Sequence, residues 1–392
     1  MSRAQRRDRP DEVRRVGVIV DSYLPLTETF IYDTLVSLRS FHPSIVAREI
    51  QNLDSFPLPP TASLTRSHIP RRWTMHWMRE VVARSFGVGK PILDHILDQE
   101  AVALIHAHFG PVGSEMVAVK ERTGLPLVTS FYGYDASRAE ILTHFRDRYR
   151  KLFDAGDLFL VEGPAMKSRL AALGCPGSKI VVQRIGIDPA RYRFRERMGP
   201  GGHMITLLQC GRMVPKKGYA CTLGALAIAR RQDRRLRLRI IGDGPERPAI
   251  EEAIRALHLV DAVTLLGSLP RDAFIEELSA ADLFIQPSQT APDGDSEGGA
   301  PTTLLEAQAM GVPILSTWHA DIPEVVRHGE SALLSAEGDI EALADNLTEL
   351  AKRPQIWRGM GRAGRAWIEQ AHGSTVLGEA LERHYERLAP ME

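Results

Sequence analysis

The sequence predicts an α/β protein made of two doubly wound domains that face each other across a cleft, and three observations carry that expectation. Its 392 residues exceed one ordinary domain. Short runs rich in Val, Ile and Leu alternate with stretches of helical period, as in a parallel sheet covered on both faces. Around Arg191–Gly202 the chain turns basic and then glycine- and proline-rich (YRFRERMGPGGH), which reads as a linker, and a second alternation follows it.

The first half opens with a strand over Arg15–Val20 that ends at Asp21, and helical pattern follows over Thr29–Leu38. Further strands are expected at Val102–His106, Pro126–Ser130 and Leu158–Val161, with helices between them. In the second half the strands are Met204–Leu208, Leu236–Ile241, Val263–Leu266, Leu283–Gln286 and Pro313–Ser316. Helices fall near Gly218–Arg230, Glu246–Leu257, Arg271–Ala280, Thr302–Met310 and Ile340–Ala351. The tail from Gln355 to Leu388 reads as helical, with Trp357, Trp367 and Tyr385 as core anchors. Open sheets of this kind bind ligands at the carboxyl ends of their strands, so the site is expected in the cleft.

Composition narrows the class. Hydrophobic content of 44% and charged content of 25% are those of a globular protein. No run approaches eighteen apolar residues, so no bilayer span is expected. The segment MSRAQRRDRPDEVRR lacks an apolar core and is read as a basic leader, not a secretory signal. Three irregularly spaced cysteines fit neither a disulfide framework nor a zinc site, and a cytoplasmic setting is the simplest inference. The net charge of zero hides an asymmetry: 29 Lys and Arg face 22 Asp and Glu in residues 1–200, against 20 and 27 in the rest. A basic first half and an acidic second half imply different partners for the two domains, with no nucleic acid among them. Trp73 and Trp77, with Arg71, Arg72, Arg79 and Arg84 nearby, suit a helix lying on an anionic membrane surface, or one packed on its own domain.

The chemistry concentrates in three stretches of the second half. In Gly211–Gly218 (GRMVPKKG), Arg212 and Lys217 lie where a strand gives way to a helix, a junction suited to an anion. Gly242 and Gly244 follow the next strand, as either a plain turn or a loop that lets backbone approach a ligand. The third stretch, Asp293–Thr317, places Glu297 and Glu306 around a Gly298-Gly299-Ala-Pro turn. Pro301 suits the first helical position, so Thr302 and Thr303 would present free amides to a phosphate. Glu306, one turn on, could accept from a ribose diol, and Glu297 from a second sugar. Asp293 and Asp295 have the spacing of a metal-binding acid pair, but Arg212 and Lys217 already supply phosphate neutralisation, so no metal is expected.

The block EGGAPTTLLEAQAMGVPILST, with GRMVPKKG upstream and IGDGPE between, resembles retaining glycosyltransferases of family four, nearest to the colanic-acid-type exopolysaccharide branch. In the first half the likeness rests on SYLPLTETFI (with Thr29 as a cleft candidate), IHAHFG and SFYGYD. The resemblance implies the GT-B fold: Rossmann-like domains at 1–195 and 203–374, with a C-terminal helix, about 375–392, crossing back to the first. It implies that Arg212 and Lys217 bind the diphosphate of a UDP- or GDP-linked sugar, Glu297 the donor sugar and Glu306 the ribose. Gly211, Gly242, Gly244, Gly298 and Gly299 would line that donor site. The acceptor would be a glycan or a lipid-linked intermediate, and transfer would retain anomeric configuration. Two departures stand out. Eight residues separate the acids where the family has seven, and Tyr132 occupies a position that is often His. Either Tyr132 acts differently, or His108 or Asp135 takes part. Two other functions share the pattern: an inactive nucleotide-sugar-binding subunit and a sugar-nucleotide epimerase.

Overall fold

The computed structural model describes residues 14–25, 28–56, 58–63 and 91–390. The expected membrane-facing segment Arg71–Arg84 lies outside them. Among the described residues no helix is long and apolar enough to cross a membrane.

The first domain is a parallel sheet of β1 (Arg14–Tyr23), β2 (Phe41–Ile50), β3 (Ala62–Ser63), β4 (Leu104–His108), β5 (Leu127–Phe131), β6 (Leu158–Val161) and β7 (Ile180–Val182), in the order β3-β2-β1-β4-β5-β6-β7. Its helices are α1 (Thr29–Val36), α2 (Ile92–Gln99), α3 (Gly110–Thr123), α4 (Tyr134–Ser137), α5 (Ala139–Ala155) and α6 (Pro164–Ala172). All five residues of β4 and of β5 are buried, including the polar His106, His108, Thr129 and Ser130 among their apolar neighbours. The chain starts at β1, works outward to β3, then returns beside β1 to form β4, so a crevice opens where β1 and β4 diverge.

The second domain repeats the plan with β8 (Ile205–Cys210), β9 (Leu236–Ile241), β10 (Val263–Gly267), β11 (Leu283–Gln286), β12 (Ile314–Thr317) and β13 (Ala332–Ser335), in the order β10-β9-β8-β11-β12-β13. Its helices are α7 (Tyr219–Ala229), α8 (Arg247–Ala256), α9 (Arg271–Ala280), α10 (Thr302–Ala309), α11 (Ile322–Val325), α12 (Ile340–Lys352) and α13 (Trp357–Ala371). Here the switch falls between β8 and β11, so the loops Gly211–Gly218 and Pro287–Pro301 share one crevice.

The tail is two helices, not one. The chain breaks at His372–Gly373, where Ile187 N–H donates to His372 O (2.9 Å) and Ser374 N–H to Ile187 O (2.8 Å). The last helix, α14 (Ser374–Leu388), lies on the first domain. One oxygen of Glu382 accepts from the backbone amides of Arg39, Ser40 and Phe41, and the Tyr385 hydroxyl meets His106 Nδ1 at 2.6 Å. Trp357 and Tyr385 are fully buried as expected. Trp367 instead lies half-buried beneath the Arg327 guanidinium, 4.1 Å away. Strands β2, β3, β7 and β13 were not foreseen. The β13 residues Ala-Leu-Leu-Ser favour helix, and Pro43, Arg48 and Glu49 obscure the apolar centre of β2.

Candidate active site

The site forms where the two crevices meet. Lys217 ends a short 3₁₀ turn, Pro215–Lys217, just after β8. Its Nζ lies 2.7 Å from Glu297 Oε1, and the Ser288 hydroxyl donates to that same oxygen at 2.9 Å. Burial opposes the charge on Glu297, yet Lys217 and Lys216 hold its carboxyl below the usual range. Lys216 donates to Asp295 (3.0 Å) and to Ser296 O (3.0 Å), while Asp293 pairs with Arg138 of the first domain at 3.4 Å. Both acids of the possible metal pair are thus matched by cations. Arg212 is exposed and makes no ion pair among the described residues. From the first domain, Glu28 lies within electrostatic reach of it. Burial pushes Glu28 up to about 7, and Arg212 works against that.

Gly242 and Gly244 have φ of 132° and 153°, and the backbone they approach is the neighbouring loop. A Cβ on Gly242 would lie 1.9 Å from Gly211 O, and one on Gly244 2.6 Å from Met213 O. This glycine turn therefore forms a floor under the Gly211–Met213 loop, fixed by Met213 N–H to Asp243 O at 2.8 Å.

The Glu297–Ala300 turn is gripped from both sides. A Cβ on Gly298 would meet Tyr132 O at 2.0 Å, and one on Gly299 would meet Glu162 Oε2 at 2.1 Å. Ser296 N–H donates to the Ser137 hydroxyl at 3.2 Å, and Ala139 N–H to Asp293 O at 3.2 Å. Pro301 stands at the helix cap, one place ahead of its expected position, and Thr302 and Thr303 open α10. The Thr303 hydroxyl is buried with no partner among the described residues. One turn on, Glu306 Oε1 accepts from the Tyr192 hydroxyl at 2.7 Å, and Arg271 donates to that hydroxyl at 2.8 Å. Burial pushes Glu306 up to about 7 against the pull of Tyr192 and Arg271. No described residue donates to its second oxygen.

On the first-domain side, the Tyr132 hydroxyl turns inward to His108 Nδ1 at 2.6 Å, and the two rings are parallel. The Tyr132 hydroxyl and ring therefore face the core, against His108, Phe30 and Phe109, and its carbonyl meets the Gly298 turn. His108 is fully buried, stacked on His106, and its Nε2 has no partner among the described residues. Burial, reinforced by His106, holds its pKa far below the ordinary value. Asp135 accepts from the backbone amides of Gly110 (2.9 Å), Tyr132 (3.1 Å) and Gly133 (2.9 Å). It shapes the Tyr132–Gly133 turn, and burial raises its pKa to about 6 despite those amides. Thr29 begins α1 and is half-buried.

Several residues escaped the sequence reading. His319 Nε2 accepts from Glu297 N–H at 3.2 Å, which leaves Nδ1 to donate to Glu337 at 2.7 Å. Tyr192, Arg271, Ser288 and Glu162 were also missed. His319 and Glu162 each stand just past the carboxyl end of a buried strand, the one signal that could have marked them.

Comparison with known proteins follows the same division of the chain. Residues 27–191 match the family described as Glycosyltransferase Family 4, and residues 193–367 the family described as Glycosyl transferases group 1. The amylovoran biosynthesis glycosyltransferase AmsK of Erwinia amylovora is 34% identical over 292 residues, covering 74% of this chain and 71% of AmsK. The putative colanic acid biosynthesis glycosyltransferase WcaL of Salmonella typhimurium is 37% identical over 248 residues, 63% of this chain. That match spans 61% of the length of WcaL. In structure, the chain is similar to Anabaena HepE in complex with UDP, with a TM-score of 0.74, 16% identity and coverage of 95% of this chain and 100% of HepE. A sucrose-phosphate synthase from Thermosynechococcus elongatus gives the same TM-score over 96% of this chain and 99% of its own.

Proposed function

The chain belongs to glycosyltransferase family 4, and from that premise we propose that it is a retaining, metal-independent transferase that moves a sugar from a UDP- or GDP-linked donor to a glycan or lipid-linked acceptor. The observation that carries this reading is the buried Lys217–Glu297 pair beside an open Arg212, at the switch point of the second sheet. Arg212 and Lys217 neutralise the departing diphosphate, the role a metal would otherwise take. Preorganised groups of this kind typically supply the largest single term in catalysis. Glu297, kept ionised by its lysines, accepts from hydroxyls of the donor sugar. Glu306, with one oxygen held by Tyr192, accepts from the ribose through the other. Tyr132 and Gly133 close the sugar pocket from the first domain. The acceptor hydroxyl approaches the face the diphosphate leaves, and a departing phosphate oxygen takes its proton.

The names of AmsK and WcaL place those relatives in amylovoran and colanic acid synthesis, which supports an exopolysaccharide product. The basic first half supports an acceptor at an anionic, cytoplasmic membrane surface. The test has two stages. Thermal shifts with UDP, GDP and their sugar conjugates identify the donor, since a ligand of the native state raises apparent stability by mass action. Proton NMR of the product, formed in the presence of a chelator, then reports its anomeric configuration. A retained anomer formed under chelation is the expected result. An inverted anomer, or dependence on a divalent cation, contradicts the mechanism. Sugar isomers without transfer would identify an epimerase, and tight nucleotide binding without turnover a binding subunit.

A further inference from the structure

We propose that Glu162 is a positioning residue through which the first domain completes the donor-sugar site of the second; this rests on the transferase reading. Glu162 directly follows β6, whose four residues are all buried. It has no cation partner among the described residues; its carboxylate instead lies against the backbone of Gly299 and within electrostatic reach of the Gly299 and Ala300 amides. A half-buried carboxylate without a counter-charge is costly to maintain, so its position calls for a reason. The reason is the loop it grips. Glu297 is fixed on one side by second-domain groups: Lys217 and Ser288 on its carboxylate, His319 on its amide. The turn that follows has no side-chain anchor of its own, because its residues are Gly298, Gly299, Ala300 and Pro301. Glu162 provides that anchor from across the cleft. Gly299 is required for it, since a Cβ there would lie 2.1 Å from Glu162 Oε2 and 2.4 Å from its Cβ.

A reciprocal contact locks the arrangement. Asp321, from the second domain, accepts from Ala165 N–H (2.7 Å) and Met166 N–H (3.2 Å) at the start of α6, while its own N–H donates to Gly299 O (3.0 Å). The turn behind Glu297 is therefore packed against Glu162 of the first domain on one side and hydrogen-bonded on its carbonyl side by a residue that itself holds the first domain. The extra residue between Glu297 and Glu306 lies in this segment. Glu297 is thus held from both sides: its carboxylate and amide by the second domain, and the turn that follows it by the first.

The test compares Glu162→Ala and Glu162→Gln in the full chain. It uses whichever of UDP-glucose, UDP-galactose and GDP-mannose the wild type turns over. Loss of the anchor is expected to lower kcat about 100-fold, the scale of a 1 Å misplacement near the chemistry. The Kd of the free nucleoside diphosphate should stay within about twofold, because its contacts lie wholly in the second domain. Glu162→Gln, whose amide oxygen still accepts a hydrogen bond, should recover most of the lost kcat. Equal turnover by Glu162→Ala and wild type overturns the proposal. So does an Ala variant that loses nucleotide binding in step with kcat, or a Gln variant that fails to recover activity while folding normally. A wild type that releases nucleotide from none of the three donors overturns the transferase reading, and this assignment with it.

Discussion

Arg212 and Lys217 carry the same charge in opposite settings. Arg212 stands exposed, whereas the Lys217 side chain is 15% exposed and bound to a buried carboxylate. Removing Lys217 strands Glu297 as an unpaired buried charge, which typically costs about 3–5 kcal/mol. Removing Arg212 breaks no ion pair among the described residues, and such surface changes stay within about 0.5 kcal/mol. Urea unfolding of Lys217→Ala and Arg212→Ala should therefore separate them sharply. Equal midpoints would mean that the Lys217–Glu297 pair does not exist in solution. Glu306 supplies a pH signature. Its ionised form accepts best from ribose hydroxyls, and burial has raised its pKa to about 7. Nucleotide affinity should therefore rise as pH climbs through about 7 and fall below it. Glu306→Gln should remove that part of the slope, while titration of the ligand's own phosphate is common to both proteins. Calorimetric titrations at pH 6 and 8 provide the comparison, and identical slopes would contradict the role of Glu306.

At the scale of elements, the Glu297–Ala300 turn packs tightly against the first domain. Gly298→Ala would drive a Cβ against the Tyr132 carbonyl and the Gly133 amide, both backbone and unable to yield. The turn must then withdraw and carry Glu297 with it. Turnover is expected to drop at least about 100-fold. Gly177→Ala, where a Cβ meets nothing within 4 Å, should be silent. Matching activities in the two variants would show that the domains do not close as described. The same turn shows what a sequence can reveal. Gly211–Gly218 and Glu297–Glu306 were legible because each places its charges, glycines and helix start within a few adjacent residues. His319 and Glu162 act on that turn, and Tyr192 on Glu306, from other elements, and only a place just past a buried strand marks the first two. Short strands such as β13 were hidden for a related reason: pairing with β12 overrides the helical preference of Ala and Leu.

At the scale of the whole molecule, the chain closes on itself twice. Helix α14 returns to the first domain through Glu382 and Tyr385. Asp33 of α1 pairs with Arg191 in the linker (3.0 Å) and with Arg271 of the second domain (3.2 Å). Arg271 also holds the Tyr192 hydroxyl that meets Glu306, so the arrangement of the domains runs directly into the proposed nucleotide site. Two sheets with the same switch-point plan explain why the domain architecture was readable from alternation alone. The contacts that fix one domain against the other join residues as much as 238 positions apart, as for Asp33 and Arg271, and no local pattern encodes them. All of this serves one claim: the cleft holds a nucleoside-diphosphate sugar by Arg212 and Lys217 and releases its sugar. The most direct measurement is nucleotide release from a panel of UDP- and GDP-linked sugars by the wild type, Arg212→Ala and Lys217→Ala. The account expects release from at least one donor by the wild type, reduced about 100- to 1,000-fold in each folded variant. Near-normal release by both variants, or none by the wild type from any donor, would contradict it.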